Sequence, residues 1–243
     1  MTYCVGLKMA RGLVFMADTR TNAGMDNIST FRKLFTWENP GETVITLMTA
    51  GNLATTQAVV SLIDERNKAP SERHPAILEL PSMFQVARHV GQTLREVIAQ
   101  AGDEGERAET YFNATLIVGG QVKGSEPRLF LIYPEGNFIE AGEDTPFLQI
   151  GEFKYGRPII VRAFDANMSF EAAVKLLLVS FDSTVKANLS VGLPLDLHIY
   201  ERDALRRGLQ RRFRADDPYF QTISHGWGDA LKSAFDSLPD VVL

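Results

Sequence analysis

The residue best placed for chemistry in this chain is the second one. Removal of Met1, which a small neighbour such as Thr2 permits, leaves a threonine hydroxyl and a free α-amine on the same residue. A threonine hydroxyl is a weak nucleophile and needs a base beside it. An α-amine, with a pKa of about 7.7–8.0, is partly neutral at physiological pH and can be that base. The alternative is that Thr2 merely opens a strand. Asp18 ends the second apolar run and is followed by Thr19, Arg20 and Thr21. An ionised aspartate leaving such a run needs a cation, and Lys33 lies across one loop. A lysine beside the α-amine lowers the amine's pKa and favours its basic form, while Asp18 keeps that lysine charged and oriented. Otherwise the two form an ordinary surface ion pair, which is worth little. The third piece is the turn Thr49-Ala50-Gly51-Asn52, ahead of a helix. Backbone N–H groups at a helix start suit a developing oxyanion, and Gly51 lets a substrate backbone approach. Strand-glycine-helix turns are also common without any such role.

The elements that must position these residues are legible as periods. Tyr3, Val5, Leu7 and Met9 alternate with smaller or polar residues, as in a strand. Residues 13–17 and 43–49 read as two more strands, the latter rich in β-branched side chains. Helical spacing then takes over at 55–68. A polar loop, 69–81, leads to Ser82 as the N-cap of a helix with Met83, Val86, Val90, Leu94 and Val97 in one stripe. Gly102 is expected to close that helix, with a charged connector over 103–109. Strands return at 112–118, 128–133, 138–141 and 147–150, with a turn at 134–137. Ser169 is the expected N-cap of a third helix whose buried face runs from Phe170 through Val174, Leu177, Phe181 and Val185 to Leu189. A strand at 195–200 and a helix at 219–238 complete the chain. Strands in blocks with helices grouped between them argue for packed sheets covered by helices, not for alternating βαβ units. No internal repeat or linker interrupts the 243 residues, so one domain is expected.

Composition removes several alternatives. The net charge of −5 does not suit nonspecific nucleic-acid binding. Cys4 is the single cysteine, so neither an internal disulfide nor a cysteine-based zinc site is available. His74, His89, His198 and His225 lack metal-ligand spacing. No apolar run reaches the ~20 residues of a membrane span. The N-terminus has no basic segment leading into an apolar one, so a cytoplasmic protein is expected. Gly119-Gly120 lacks the Lys-Ser/Thr of a phosphate loop and is expected to be a turn. The arginines at 202, 206, 207, 211, 212 and 214 are expected to form a solvated face among acidic neighbours.

The segments MTYCVGLKMARGLVFMADTRTNAG, ISTFRKLF, TAGN and SFDSTVKANLSVGLPLDL, in that order, resemble the proteasome β-subunit and its bacterial relatives, and most closely the Anbu type. The resemblance covers Thr2 to about Tyr200. It implies an α+β fold, the four-layer αββα sandwich of N-terminal-nucleophile hydrolases, and a threonine peptidase that needs no metal or cofactor. Residue by residue, Thr2 matches the nucleophile, Asp18 and Lys33 the charged pair, Gly51 the oxyanion glycine and Asp182 the second acidic residue. Ser190 is similar to the accompanying serine, at longer spacing, and Thr21 to the residue that pairs with an extended substrate. The partners implied are a peptide or protein substrate and further copies in a homo-oligomer, with no nucleic acid and no membrane. One position departs from the pattern: Gly151-Glu152 stands where the family has Gly-Ser. A carboxylate there raises the amine's pKa and weakens it as a base. The rival expectations are an amidase for small amides and an assembly or binding protein that keeps the fold with little activity.

Overall fold

The computed structural model describes residues 2–22, 28–68, 75–101 and 112–242. The expected helix stop at Gly102, the connector 103–109 and Met1 lie outside the described residues.

Twelve strands and five α-helices are described, in the order β1 (Tyr3–Met9), β2 (Gly12–Asp18), β3 (Arg20–Asn22), β4 (Ile28–Thr30), β5 (Leu34–Asn39), β6 (Thr43–Gly51), α1 (Leu53–Lys68), α2 (Met83–Ala101), β7 (Ala114–Val122), β8 (Arg128–Ile132), β9 (Phe138–Glu140), β10 (Phe147–Gly151), α3 (Arg157–Ala163), α4 (Phe170–Ala187), β11 (Leu195–Glu201), β12 (Leu209–Phe213) and α5 (Pro218–Asp236). One antiparallel sheet has the order β10-β1-β2-β11-β12, a second the order β5-β6-β7-β8-β9, and β3 pairs with β4 in a small hairpin.

Strand alternation builds the layers. On β1 and β2, Tyr3, Val5, Leu7, Met9, Val14 and Met16 face α3, α4 and α5 with Leu177 and Phe181. Cys4, Leu13, Phe15 and Ala17 face the other sheet, meeting Met48, Ile117 and Leu129. The far side of that second sheet buries Leu47, Leu116 and Val118 against Val59, Val86 and Leu94 of α1 and α2. Helices, sheet, sheet and helices thus stack as an αββα sandwich. β1 and β2 are fully enclosed because both of their faces are covered.

The expected caps are in place: Ser82 Oγ accepts from Gln85 N at 3.3 Å and Ser169 Oγ from Ala172 N at 3.1 Å. Two expectations change. Gly119-Gly120 lies inside β7, where a Cβ at Gly119 would come within 2.9 Å of the Phe15 ring; the glycine serves close sheet-to-sheet packing, not a turn. Leu189 is 85% exposed, because α4 ends at Ala187 with Asn188 as its C-cap. The arginine-rich segment is a solvated face among acidic neighbours, as expected, and contains an edge strand, β12, with Arg212 paired to Asp196 at 2.6 Å and Arg211 to Asp217 at 2.9 Å. Among the described residues, no helix is long and apolar enough to cross a membrane.

Candidate active site

Thr2 lies at the head of β1, 7% exposed, and both of its sides are tied down. Its carbonyl accepts from Glu152 N–H at 2.6 Å. The next amide, Tyr3 N–H, donates to Asp18 Oδ1 at 3.0 Å. Tyr3 itself is anchored by a directional chain. Ser180 Oγ donates to the Gly156 carbonyl at 3.1 Å, so Tyr3 O–H donates to Ser180 Oγ (2.8 Å) and accepts from Gln149 Nε2 (2.6 Å). Burial pushes the Tyr3 phenol up, so it stays neutral.

Asp18 closes β2 with no exposed surface and accepts four bonds. Lys33 Nζ reaches Oδ1 at 2.8 Å, beside Tyr3 N–H. Arg20 N–H and Gly192 N–H reach Oδ2 at 3.2 and 3.3 Å. Lys33, only 4% exposed, spends a second proton on the Arg20 carbonyl at 2.6 Å. This excludes the surface ion pair. Burial pushes the Asp18 carboxyl up, and the Lys33 charge and hydrogen bond, with the Tyr3 and Gly192 amides, pull it back toward the ionised form.

Gly51 ends β6 at φ +116°, and a Cβ there would stand 2.4 Å from the Asn113 carbonyl oxygen. Register decides where its amide points. Asn52 N–H bonds to Asn113 O, and Thr49 N–H to Lys33 O. By antiparallel alternation, the even residues of β6 bond to β7 and the odd ones to β5. Gly51 is therefore turned toward the β5 side, beyond the point where β5 starts. Among the described residues its N–H and C=O have no ladder partner there, and Gly51 is exposed.

The same reasoning shifts one predicted position. Phe31 N–H bonds to Thr19 O, which makes Thr21–Ser29 a bonded pair within the β3–β4 hairpin. Thr21's main-chain groups are taken, and those of Asn22 are on the open edge. Asp182 is buried on α4, where its Oδ2 accepts from Lys186 at 3.0 Å, and Lys186 also reaches the Ser224 carbonyl on α5. These contacts tie Asp182 to the helix layer, whereas Asp18 and Lys33 meet beside Thr2. Ser190 is half-buried, and its amide donates to Asn188 Oδ1 at 2.9 Å. Asn188 is the residue that sequence reasoning missed. Its Nδ2 donates to Glu152 Oε2 at 3.2 Å, joining the end of α4 to the segment that holds the Thr2 carbonyl. Its position just before the Ser190-Val191-Gly192 turn was the available signal, obscured by the more conspicuous Asp182.

The model of the proteasome subunit family, described as "Proteasome subunit", matches residues 2–193. No curated protein matches. Among solved structures, Anbu (ancestral beta-subunit) from Yersinia bercovieri is 47% identical, with 99% of each chain covered and a TM-score of 0.92. The Gly-1 mutant of Anbu from Hyphomicrobium sp. strain MC1 is 50% identical over 100% of both chains, again at 0.92. The helical assembly of the Anbu complex from Pseudomonas aeruginosa is 46% identical, covering 99% of this chain and 98% of that one, at 0.92. With a buried Asp–Lys pair clamping the start of β1 inside an αββα sandwich, and with these matches spanning nearly its whole length, the chain belongs to the proteasome subunit family in its Anbu branch.

Proposed function

We propose that this protein is a threonine-type N-terminal-nucleophile hydrolase that cleaves peptide amides, with Thr2 as nucleophile once Met1 is removed, acting as a single peptidase domain over residues 1–243. The observation that carries this reading is the fourfold-bonded Asp18, which holds Lys33 and the Tyr3 amide on one oxygen and so fixes both the charge beside Thr2 and the direction of its chain. In the proposed cycle the Thr2 hydroxyl attacks the amide carbonyl and its α-amine takes the proton, through a water. The open Gly51 N–H stabilises the tetrahedral oxyanion. Collapse releases the leaving amine, protonated by the α-ammonium, and water then cleaves the Thr2 ester. The outward main-chain groups of Asn22 and Gly51 suit an extended substrate held by its main chain.

Self-assembly is part of the proposal. The relative from Pseudomonas aeruginosa forms a helical assembly, and α5 carries Tyr219, Leu231 and Phe235 exposed, with Leu238 just beyond it. A second reading, a weakly active binding protein, is favoured by one feature: an acidic residue, Glu152, whose N–H binds the Thr2 carbonyl and whose carboxylate accepts from Asn188. Intact-mass measurement of the purified protein decides first. A free Thr2 is expected, and retained Met1 would end the catalytic reading. With Thr2 free, Thr2→Ala is expected to lower peptide turnover by on the order of 10³-fold or more; equal turnover would leave only the binding reading.

A further inference from the structure

Thr2 has a second neighbourhood, on the side of β1 away from Asp18 and Lys33. A cavity of about 710 Å³ opens there, between the free edge of β10 and the ends of β6, β7 and β8. Its wall includes both Gly51 and Gly151, so it begins at the candidate catalytic centre. Gly151 sits at φ +81° with its Cα packed against the Thr2 carbonyl; a Cβ would fall 1.9 Å from that oxygen.

The edge of β10 is chemically open. Glu152 N–H bonds to Thr2 O and Lys8 N–H to Pro146 O, which puts Leu148 and Ile150 in the bonded pairs with β1. The N–H and C=O groups of Phe147, Gln149 and Gly151 therefore point outward, into the cavity. A row of unpaired strand groups at ~7 Å spacing is a template for one more extended chain. Around this edge the cavity is apolar and aromatic, with Leu131, Tyr133, Ile139, Phe147 and Phe153. Arg157 is the one charged side chain among the described residues that line it. It is exposed and has no ion-pair partner among the described residues. A free guanidinium at the end of an apolar groove matches a carboxylate that follows apolar side chains.

We propose that this cavity is the leaving-group subsite: the part of the peptide beyond the scissile bond adds to the edge of β10 as a strand, and a short apolar segment ending in a free carboxylate is preferred, its carboxylate paired with Arg157. The inference rests on the reading of Thr2 as nucleophile. A substrate chain crossing Thr2 then meets two open edges in turn, Asn22 and Gly51 on the acyl side and β10 on the leaving side.

The test is binding, independent of turnover. The full-length Thr2→Ala protein is titrated calorimetrically with the tripeptide Ala-Leu-Phe and with its C-terminal amide. The acid is expected to bind about tenfold more tightly than the amide. Arg157→Ala is expected to bring the acid down to the level of the amide while leaving the amide unchanged, which also shows that the variant is folded. Equal binding of acid and amide, an acid affinity indifferent to Arg157→Ala, or no binding at millimolar peptide overturns the subsite. Hydrolysis by the Thr2 protein is measured in parallel on a fluorogenic peptide whose leaving group is a small dye. Arg157-dependent binding without hydrolysis keeps the cavity as a site for carboxylate-ended peptides and removes both the peptidase reading and the leaving-group role. Hydrolysis without carboxylate preference does the reverse.

Discussion

Asp18 and Lys33 form a pair that is costlier to break by removing one partner than an ion pair at the surface. Each is almost fully enclosed, and each uses its remaining hydrogen-bonding capacity on the backbone. Replacing one partner leaves the other charge buried alone, so Lys33→Met is expected to cost about 3–5 kcal/mol in denaturant unfolding and to reduce turnover by on the order of 10³-fold. A loss of turnover with unchanged stability would show that the pair is not buried as described. Glu152 acts in the opposite sense. Its negative charge favours the protonated amine, so Glu152→Gln is expected to lower the amine's pKa and move the acid limb of kcat/KM against pH to lower pH. Superimposable profiles for the two proteins would mean that the Asn188 contact keeps this carboxylate away from the amine.

At the level of elements, strand ends and strand register do the positioning. Gly51 can occupy its place only without a side chain, since φ +116° and the Asn113 carbonyl both exclude a Cβ. Gly51→Ala is expected to cost on the order of 1–3 kcal/mol through backbone strain alone and to displace the open amide; activity retained to within a factor of two would remove Gly51 from the oxyanion role. The β6–β11 contact contains a different device. His198 on β11 is buried between the sheets, with Thr46 Oγ1 2.8 Å from its Nδ1 and no partner at Nε2 among the described residues. Burial, with a smaller contribution from Arg207, depresses its pKa from 6.5 to about 4. The unfolded chain therefore takes up a proton between about pH 6.5 and pH 4 that the folded chain refuses. This contribution to stability is whole above about pH 6.5 and lost as pH falls through that window, by up to about 3 kcal/mol. His198→Phe is expected to flatten the fall, measured as urea midpoint against pH.

For the whole molecule, two packed sheets make the frame, and the C-terminal helix α5 lies outside it with apolar side chains exposed. Leu231 and Phe235 are 56% and 75% exposed, and Leu238 follows just beyond the helix. An uncovered row of this kind needs a protein surface, and a second copy is the partner in the proposed assembly. Replacing Leu231 and Phe235 together by Ser is expected to reduce the sedimenting mass toward that of the 27.0 kDa chain with no change in its circular dichroism. An unchanged assembly would place the subunit contact elsewhere.

Local chemistry was enough to read a great deal from the residues alone. Thr2, Asp18 and Gly51 stand at or beside the ends of strands that short-range alternation defines, and Ser82 and Ser169 cap the helices their spacing announces, because caps and periods depend on neighbours a few residues away. The four-layer arrangement came from the resemblance, not from any period. Only the tertiary structure decided what depends on partners far along the chain. It set Gly119-Gly120 inside β7, because Phe15 and Leu129 take up the space a side chain would need. It turned the arginine-rich segment into β12 by pairing it with β11. It gave Asn22, not Thr21, the open edge, because antiparallel bonding alternates and the parity is set by which residues meet. It brought the Ser224 carbonyl of α5 to Lys186, the helical neighbour of Asp182, and brought Asn188 to Glu152, a contact between residues 36 apart in sequence that no local pattern encodes.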